Sequence, residues 1–175
     1  NKQACAALDA FASDGANKGV TDAWNQHYSV IKAANLITES ASKAPVAQDK
    51  IDVALGNAHF WRAYAYYYLV RVFGPVPLIT GTDVSQLDVA PSSVKDVYEL
   101  IVSDLKAAVN ELPTKYEKEP SRLFGVDVWT TKQAAQATLS AVYMSMAGYP
   151  LNMGTEYYKL AAEQAKSVID NNGSY

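Results

Sequence analysis

The chain has a single cysteine, Cys5, in 175 residues, so it holds no internal disulfide and no thiolate cluster for a metal. Histidine is nearly as scarce, with two copies, and phenylalanine has four. There is no basic block, and the net charge is −3. Nucleic-acid binding needs rows of Lys and Arg against phosphates, so that class is set aside. No long apolar run of membrane-spanning type and no signal-peptide pattern is read within these residues. G-x-S-x-G, a phosphate-cradling glycine loop and a dinucleotide fingerprint are all missing, and with them the chemistries they serve.

What is abundant is tyrosine, 12 copies in a chain that is 49% hydrophobic and 19% charged. Those proportions suit one folded domain over 1–175 with a sizeable core. Tyrosine has a broad apolar face and a polar tip, which serves either wet helix packing or stacking on a sugar ring. The densest aromatic stretch runs from His59 to Phe73 and is closed by Gly74-Pro75-Val76-Pro77-Leu78. Phe60, Tyr64, Tyr68 and Val72 fall at i, i+4, i+8 and i+12, with Trp61, Ala65 and Leu69 in the next row. Only Arg62 and Arg71 are charged in that core stretch, so the helix is expected to be buried on most sides. Gly74 suits a helix stop and Pro75 cannot continue one.

The rest reads as further helices. Residues 1–12 resemble the end of a helix, with Leu8 and Phe11 apolar, followed by a polar loop over 13–19. Cys5 has Lys2 where a lipobox needs an apolar residue, and it reads as a small buried helix residue. A helix is expected from about Thr21 to Ser40, capped by Thr21 or Asp22, with Trp24, Tyr28, Ile31 and Asn35 on one stripe. A loop over 44–47 leads into the aromatic helix, Gln48 to Phe73, and a polar linker over 80–91 follows it. Ser92 and Ser93 open a helix whose apolar face runs Val94, Val97, Tyr98, Ile101, Leu105, Ala108 and Leu112, with Asp96 as a partial capping box and Pro113 as the stop. After a charged loop over 116–127, Thr130 and Gln133 form a capping-box pattern for a fifth helix. A turn over 148–154 leads to a last helix, about Thr155 to Asn171, expected to face Tyr158, Ala161, Ala165 and Val168 inward, with Gly173 as a stop.

The last two helices read like one tetratricopeptide unit, with Leu139-Ser140-x-x-Tyr143 for the first helix and Ala161-x-x-x-Ala165 for the second. The expected fold is therefore all-α: a right-handed array of divergent tetratricopeptide-like helical pairs. Little or no sheet is expected, beyond short extended pieces near 78–80 and 126–129.

No catalytic or metal constellation stands out. His27 and His59 lie on different helices without supporting ligands and read as packing residues. Asp83-x-Ser85-x-x-Asp88 starts like a calcium loop but lacks its glycine and its final Glu. Glu117 and Glu119 sit among lysines and read as a solvated charge run rather than a catalytic pair. Arg62 and Arg71 could clamp an acidic ligand, but Arg stems lie readily on apolar surface while the head bonds a carboxylate or carbonyl. Asn35, polar on a packed face, should bond neighbouring backbone. Sugar contacts need aromatic platforms beside polar groups on loops held by rigid helices. The loop-placed candidates are Phe11, Asn17, Lys18, Trp24, Asn25, Tyr116, Trp129 and Tyr149.

Two segments resemble a known family. Phe60-Trp61-Arg62-Ala63 through Phe73-Gly74-Pro75-Val76-Pro77-Leu78-Ile79-Thr80 is similar to the signature of the SusD/RagB family, F-L-R-A-x-x-Y-x-x-L-V-x-x-F-G-x-V-P-L-x-T, with Asn57 in place of the usual preceding Glu. Tyr28-x-x-Ile31-x-x-Ala34-Asn35-x-Ile37 is similar to its Y-x-x-I-x-x-A-N-x-x-I motif, with the last apolar residue one place early. The resemblance implies an N-terminal segment of a longer, non-catalytic outer-membrane lipoprotein without cofactor. Such a protein is surface-exposed through an upstream lipid anchor and captures oligosaccharide beside a SusC-like TonB-dependent transporter. A peptide-binding relative of the RagB type or a plain tetratricopeptide scaffold is the alternative. The family's sugar-contacting residues fall outside the matched motifs, so the resemblance assigns none of them here.

Overall fold

A computed structural model of the chain describes residues 2–10, 12, 14–83, 89–116 and 129–171. Among these the structure is all-α, with helices α1 (Lys2–Asp9), α2 (Lys18–Ser40), α3 (Gln48–Phe73), α4 (Val94–Glu111), α5 (Lys132–Ala147) and α6 (Thr155–Asp170), and a 3-10 turn at Ala41–Lys43. No helix among the described residues is long and apolar enough to cross a membrane. Phe11, the Glu117/Glu119 pair, Ser85 and Asp88, most of the extended piece expected at 126–129, and Gly173 lie outside the described residues.

From α2 onward each helix packs antiparallel on the next. His27 meets Tyr68 and Asn35 meets Arg62 across α2 and α3. Arg62 meets Asp104 and His59 meets Glu111 across α3 and α4. Ser140 meets Ala161 across α5 and α6. Tyr66, Leu69, Val97, Ile101, Leu105, Leu139 and Val142 are wholly enclosed and form the core. Gly56 lets α3 lie close on the end of α4, since a Cβ there would stand 2.8 Å from Leu112 Cγ. The tetratricopeptide-like pair forms as read: Ser140, in the motif's glycine place, is small enough to let α6 approach and bonds the Ala161 carbonyl at 2.8 Å.

Several expectations change. The outward face of α3 carries Trp61, Tyr64, Tyr68 and Val72, between 40% and 55% exposed. The buried face keeps Phe60, Ala65 and Leu69 of the expected stripe and adds Ala58, Arg62, Ala63, Tyr66 and Val70. The reason is the Arg62 guanidinium: its carboxylate and amide partners lie on α4 and α2, which rotates Arg62 inward and turns Trp61 outward with Tyr64 and Tyr68, three and seven residues on. α2 begins three residues earlier than expected because Asn17, not Thr21 or Asp22, caps it, accepting from Gly19 N (2.9 Å) and Val20 N (3.4 Å). α5 is capped by Thr131 rather than Thr130; Thr130 is buried and its carbonyl takes the Tyr116 hydroxyl. In α6, Tyr158 points outward, and Tyr157, packed edge-on against Tyr143, takes the inner row with Leu160 and Ala161. Cys5 is exposed rather than buried, since short α1 packs only on α2 and has no second helix to enclose it.

The matched motifs prove to be one fastening. Arg62 makes a bidentate pair with Asp104 (2.7 and 2.8 Å) and donates to Asn35 Oδ1 (2.8 Å). Asn35 donates in turn to the Ile79 (2.8 Å) and Gly81 (3.1 Å) carbonyls. Tyr28 donates to the Pro77 carbonyl (2.8 Å), and the Tyr66 hydroxyl takes the Ile79 N–H (2.7 Å). The Thr82 N–H and hydroxyl both bond the Glu39 carboxylate, which holds it below the usual carboxylate range. Residues 77–82 are thus an extended strap tied across α2 and α3. Val76 and Ser92 complete it with an antiparallel bridge, the one β-pairing among the described residues.

Burial pushes the Tyr66 phenol up from its ordinary 10.0 to about 12, and it pushes Tyr28 up further. A raised phenol favours the fold while both states are neutral. That stability is present in full below the ordinary pKa and is lost as pH rises through the folded value. The chain should therefore lose stability steeply between pH 10 and 12, with two tyrosines titrating last in ultraviolet absorbance. Tyrosine titration complete near pH 10 without unfolding would contradict this.

Candidate functional site

Three helix ends meet here: the C-termini of α3 and α5 and the N-terminus of α4 converge with the loop over 148–154. α3 stops at Gly74, whose φ of +74° few side chains tolerate. Pro75 then turns the chain away. The 148–154 loop is knit by bonds from Asn152 N to the Gly148 carbonyl (2.7 Å), Met153 N to the Met146 carbonyl (3.0 Å) and Gly154 N to the Ala147 carbonyl (3.0 Å). Its Tyr149–Pro150 bond is cis, and Gly154 has φ +75°. Tyr149 stands out in solvent, 89% exposed.

Between these ends lies a cleft of about 510 Å³, within the range of small-ligand sites. Val70, Pro75 and Val94 give it apolar surface, Tyr149 and Pro150 form a rim, and Arg71, Tyr98 and Ser145 supply polar groups. Arg71 lies over the Tyr67 ring, 4.9 Å from its centroid, and makes no ion pair among the described residues. Burial raises the Tyr98 phenol, and its bond to Ser145 partly offsets the rise. Ser145 also pairs with the Tyr67 hydroxyl at 2.7 Å, so the hydroxyls form a chain along one wall. This combination suits a polyhydroxylated ring: an apolar face to stack, hydroxyls to exchange bonds, one cation. No nucleophile and base stand together in it.

The other loop-placed candidates divide between two ends of the array. Asn17, Lys18, Trp24 and Asn25 sit at the α2 N-terminus, the same end as the cleft. Asn17 is buried and occupied in capping, Lys18 pairs with Asp22 at 2.7 Å, and Asn25 is exposed. Trp24 packs against Tyr28 (4.9 Å) and edge-on to Phe73 (5.0 Å), which leaves it half-buried. Tyr116 and Trp129 are at the opposite end, their rings 5.8 Å apart, with the Tyr116 hydroxyl on the Thr130 carbonyl. Only Tyr149 of the set lines the cleft. Arg71, Tyr98 and Ser145 were not legible as a group, since they lie on three helices and only the array's crossing brings them together. Arg62 and Arg71, equivalent in sequence, differ here: Arg62 is a buried structural cation held above its usual value by Asp104 despite desolvation, while Arg71 is exposed. His27 stacks on Tyr68 at 4.0 Å, and His59 bonds Glu111 at 2.7 Å, so both serve helix packing.

A family model described as "Starch-binding associating with outer membrane" matches residues 3–144. SusD-like protein P2 of Formosa agariphila is 31% identical over 165 residues, and a SusD-like protein of Bacteroides ovatus is 29% identical over 171. These alignments cover 92% and 93% of this chain, and the chain spans 29% and 30% of those relatives. Among solved structures, a SusD superfamily protein from Parabacteroides distasonis superposes with a TM-score of 0.82 at 28% identity, over 95% of this chain and 34% of the other. Another, solved with xylogluco-oligosaccharide, superposes at 0.78 with 28% identity, over 93% of this chain and 32% of its own. With the two motifs joined in one fastening and the helical array shared throughout, the chain belongs to the SusD-like family, described as starch-binding and associating with the outer membrane.

Proposed function

We propose that this chain is the N-terminal helical segment of a longer, non-catalytic glycan-capturing protein. That protein is lipid-anchored at the outer-membrane surface and hands oligosaccharide to a SusC-like TonB-dependent transporter. The family match over residues 3–144 carries this reading. The likeness to a structure holding a xylogluco-oligosaccharide supports the ligand class. Two features support a longer protein: the chain spans less than a third of its curated relatives, and α3 turns Trp61, Tyr64 and Tyr68 outward as a contiguous aromatic face. The matched helices are scaffold in this reading, and sugar contacts come from helix ends and loops, where Asn25, Trp129 and Tyr149 are exposed.

Calorimetry of the longer protein against neutral and acidic oligosaccharides, with oligopeptides in parallel, tests the function. Saturable glycan binding without cleavage products is the expected result. Peptide binding alone would move the protein to the RagB-like reading, and no binding of either would favour a scaffold. Co-purification with a TonB-dependent barrel from outer membranes tests the partner.

A further inference from the structure

The cleft between the ends of α3, α4 and α5 has one polar feature that a neutral sugar does not require. Among the described residues its lining holds a cation and no carboxylate: Val70, Arg71, Gly74, Pro75, Val94, Tyr98, Ser145, Tyr149 and Pro150. Arg71 is exposed, its guanidinium aligned over the Tyr67 ring, and no ion pair among the described residues neutralises it. The carboxylates in the first two turns of α4 are already engaged, Asp96 by the Ser93 hydroxyl (2.7 Å) and Glu99 by Lys95 (3.7 Å). Val94 is the first residue of α4, so the positive end of that helix faces the same space. In a chain of net charge −3, this is a locally positive recess.

We infer that this cleft is a subsite for one anionic pyranose unit. Tyr149 stacks on the ring's C–H face, and Arg71 forks onto its carboxylate or sulfate. Guanidinium geometry suits both groups, because each offers two oxygens at the spacing of two N–H donors. Pro75 and Val94 supply apolar surface beside the ring, and Ser145, its hydroxyl already bonded to Tyr67, stands in the wall behind it. The inference rests on the glycan-capturing reading and adds to it a charge class and a place.

Isothermal titration of the longer protein with three probes tests it: a galacturonic acid trimer, its methyl ester, and a sulfated galactose trimer. At least one anionic probe should bind about tenfold or more tightly than the neutral ester, the gain of one charge-assisted bidentate contact. Which one does so identifies carboxylate or sulfate as the group read. Raising the salt to 0.5 M should erase most of that gap. Arg71→Gln should reduce the anionic probe to the ester's affinity, while Arg71→Lys should keep part of the gap, because charge survives without the fork. Tyr149→Ala should weaken charged and neutral probes alike, by severalfold. Both positions are exposed, so unchanged circular dichroism is expected in each variant.

Equal affinity for acid and ester, or a gap that survives Arg71→Gln, overturns the inference. So does a longer protein that binds none of the three. Each of these leaves glycan capture by the longer protein standing, and that reading falls only if the longer protein binds no glycan.

Discussion

Asp104→Ala lowers the unfolding free energy by about 3–5 kcal/mol in urea titration. Asp104 is 4% exposed and provides both oxygens to Arg62, which is 7% exposed. Removing it leaves a guanidinium that cannot shed its charge at any accessible pH, enclosed by α2, α3 and α4. Asn35 Oδ1 would satisfy only one of its donors. The cost measures a stranded cation, not the net worth of the pair. Replacing both partners with apolar residues of similar volume, Arg62→Met with Asp104→Leu, should therefore recover most of the loss. A single variant within 1 kcal/mol of the parent would show that the pair is wet in solution.

Asn35→Ala comes second, at about 2–4 kcal/mol, and its effect spreads differently. The side chain is fully buried and makes three bonds: one accepted from Arg62 and two donated to the Ile79 and Gly81 carbonyls. Truncation leaves a buried Arg62 donor without its acceptor, takes the side-chain donor away from the Ile79 and Gly81 carbonyls, and opens a small void. Amide exchange should report the location. Ile79 N–H, tied to the Tyr66 hydroxyl at 2.7 Å, should exchange much faster, while amides in the middle of α4 slow and speed only with global stability. Because Asn35 and Asp104 share Arg62, their costs should not add, and the double variant should fall short of the sum by about 0.5–3 kcal/mol. Strict additivity would mean that the strap and the ion pair are independent.

Much of the architecture was legible in residues. The α4 stripe from Val97 to Leu112 is buried as its spacing requires, and Ser93 caps that helix through Asp96 N. Asn35 bonds neighbouring backbone, as a polar residue on a packed face must. The α3 rotation was not legible. Hydrophobicity alone ranks Trp61, Tyr64 and Tyr68 above Arg62, and only the buried partners on α2 and α4 reverse that order. Similarly, Tyr157 and Tyr158 are indistinguishable by type, and their facing is decided by where Tyr143 stands. The cleft was legible at one residue only. Tyr149 stood out between Gly148 and Pro150, but Arg71, Tyr98 and Ser145 become neighbours only through antiparallel packing.

The strap has a consequence for how such chains are told apart. The residues that make this one recognisable, Tyr28, Asn35, Arg62, Tyr66 and the Val-Pro-Leu segment, fasten 77–82 to two helices. Folding alone accounts for their place here, independent of any ligand. A likeness built on that buttress therefore reports shared architecture and says nothing of what is held.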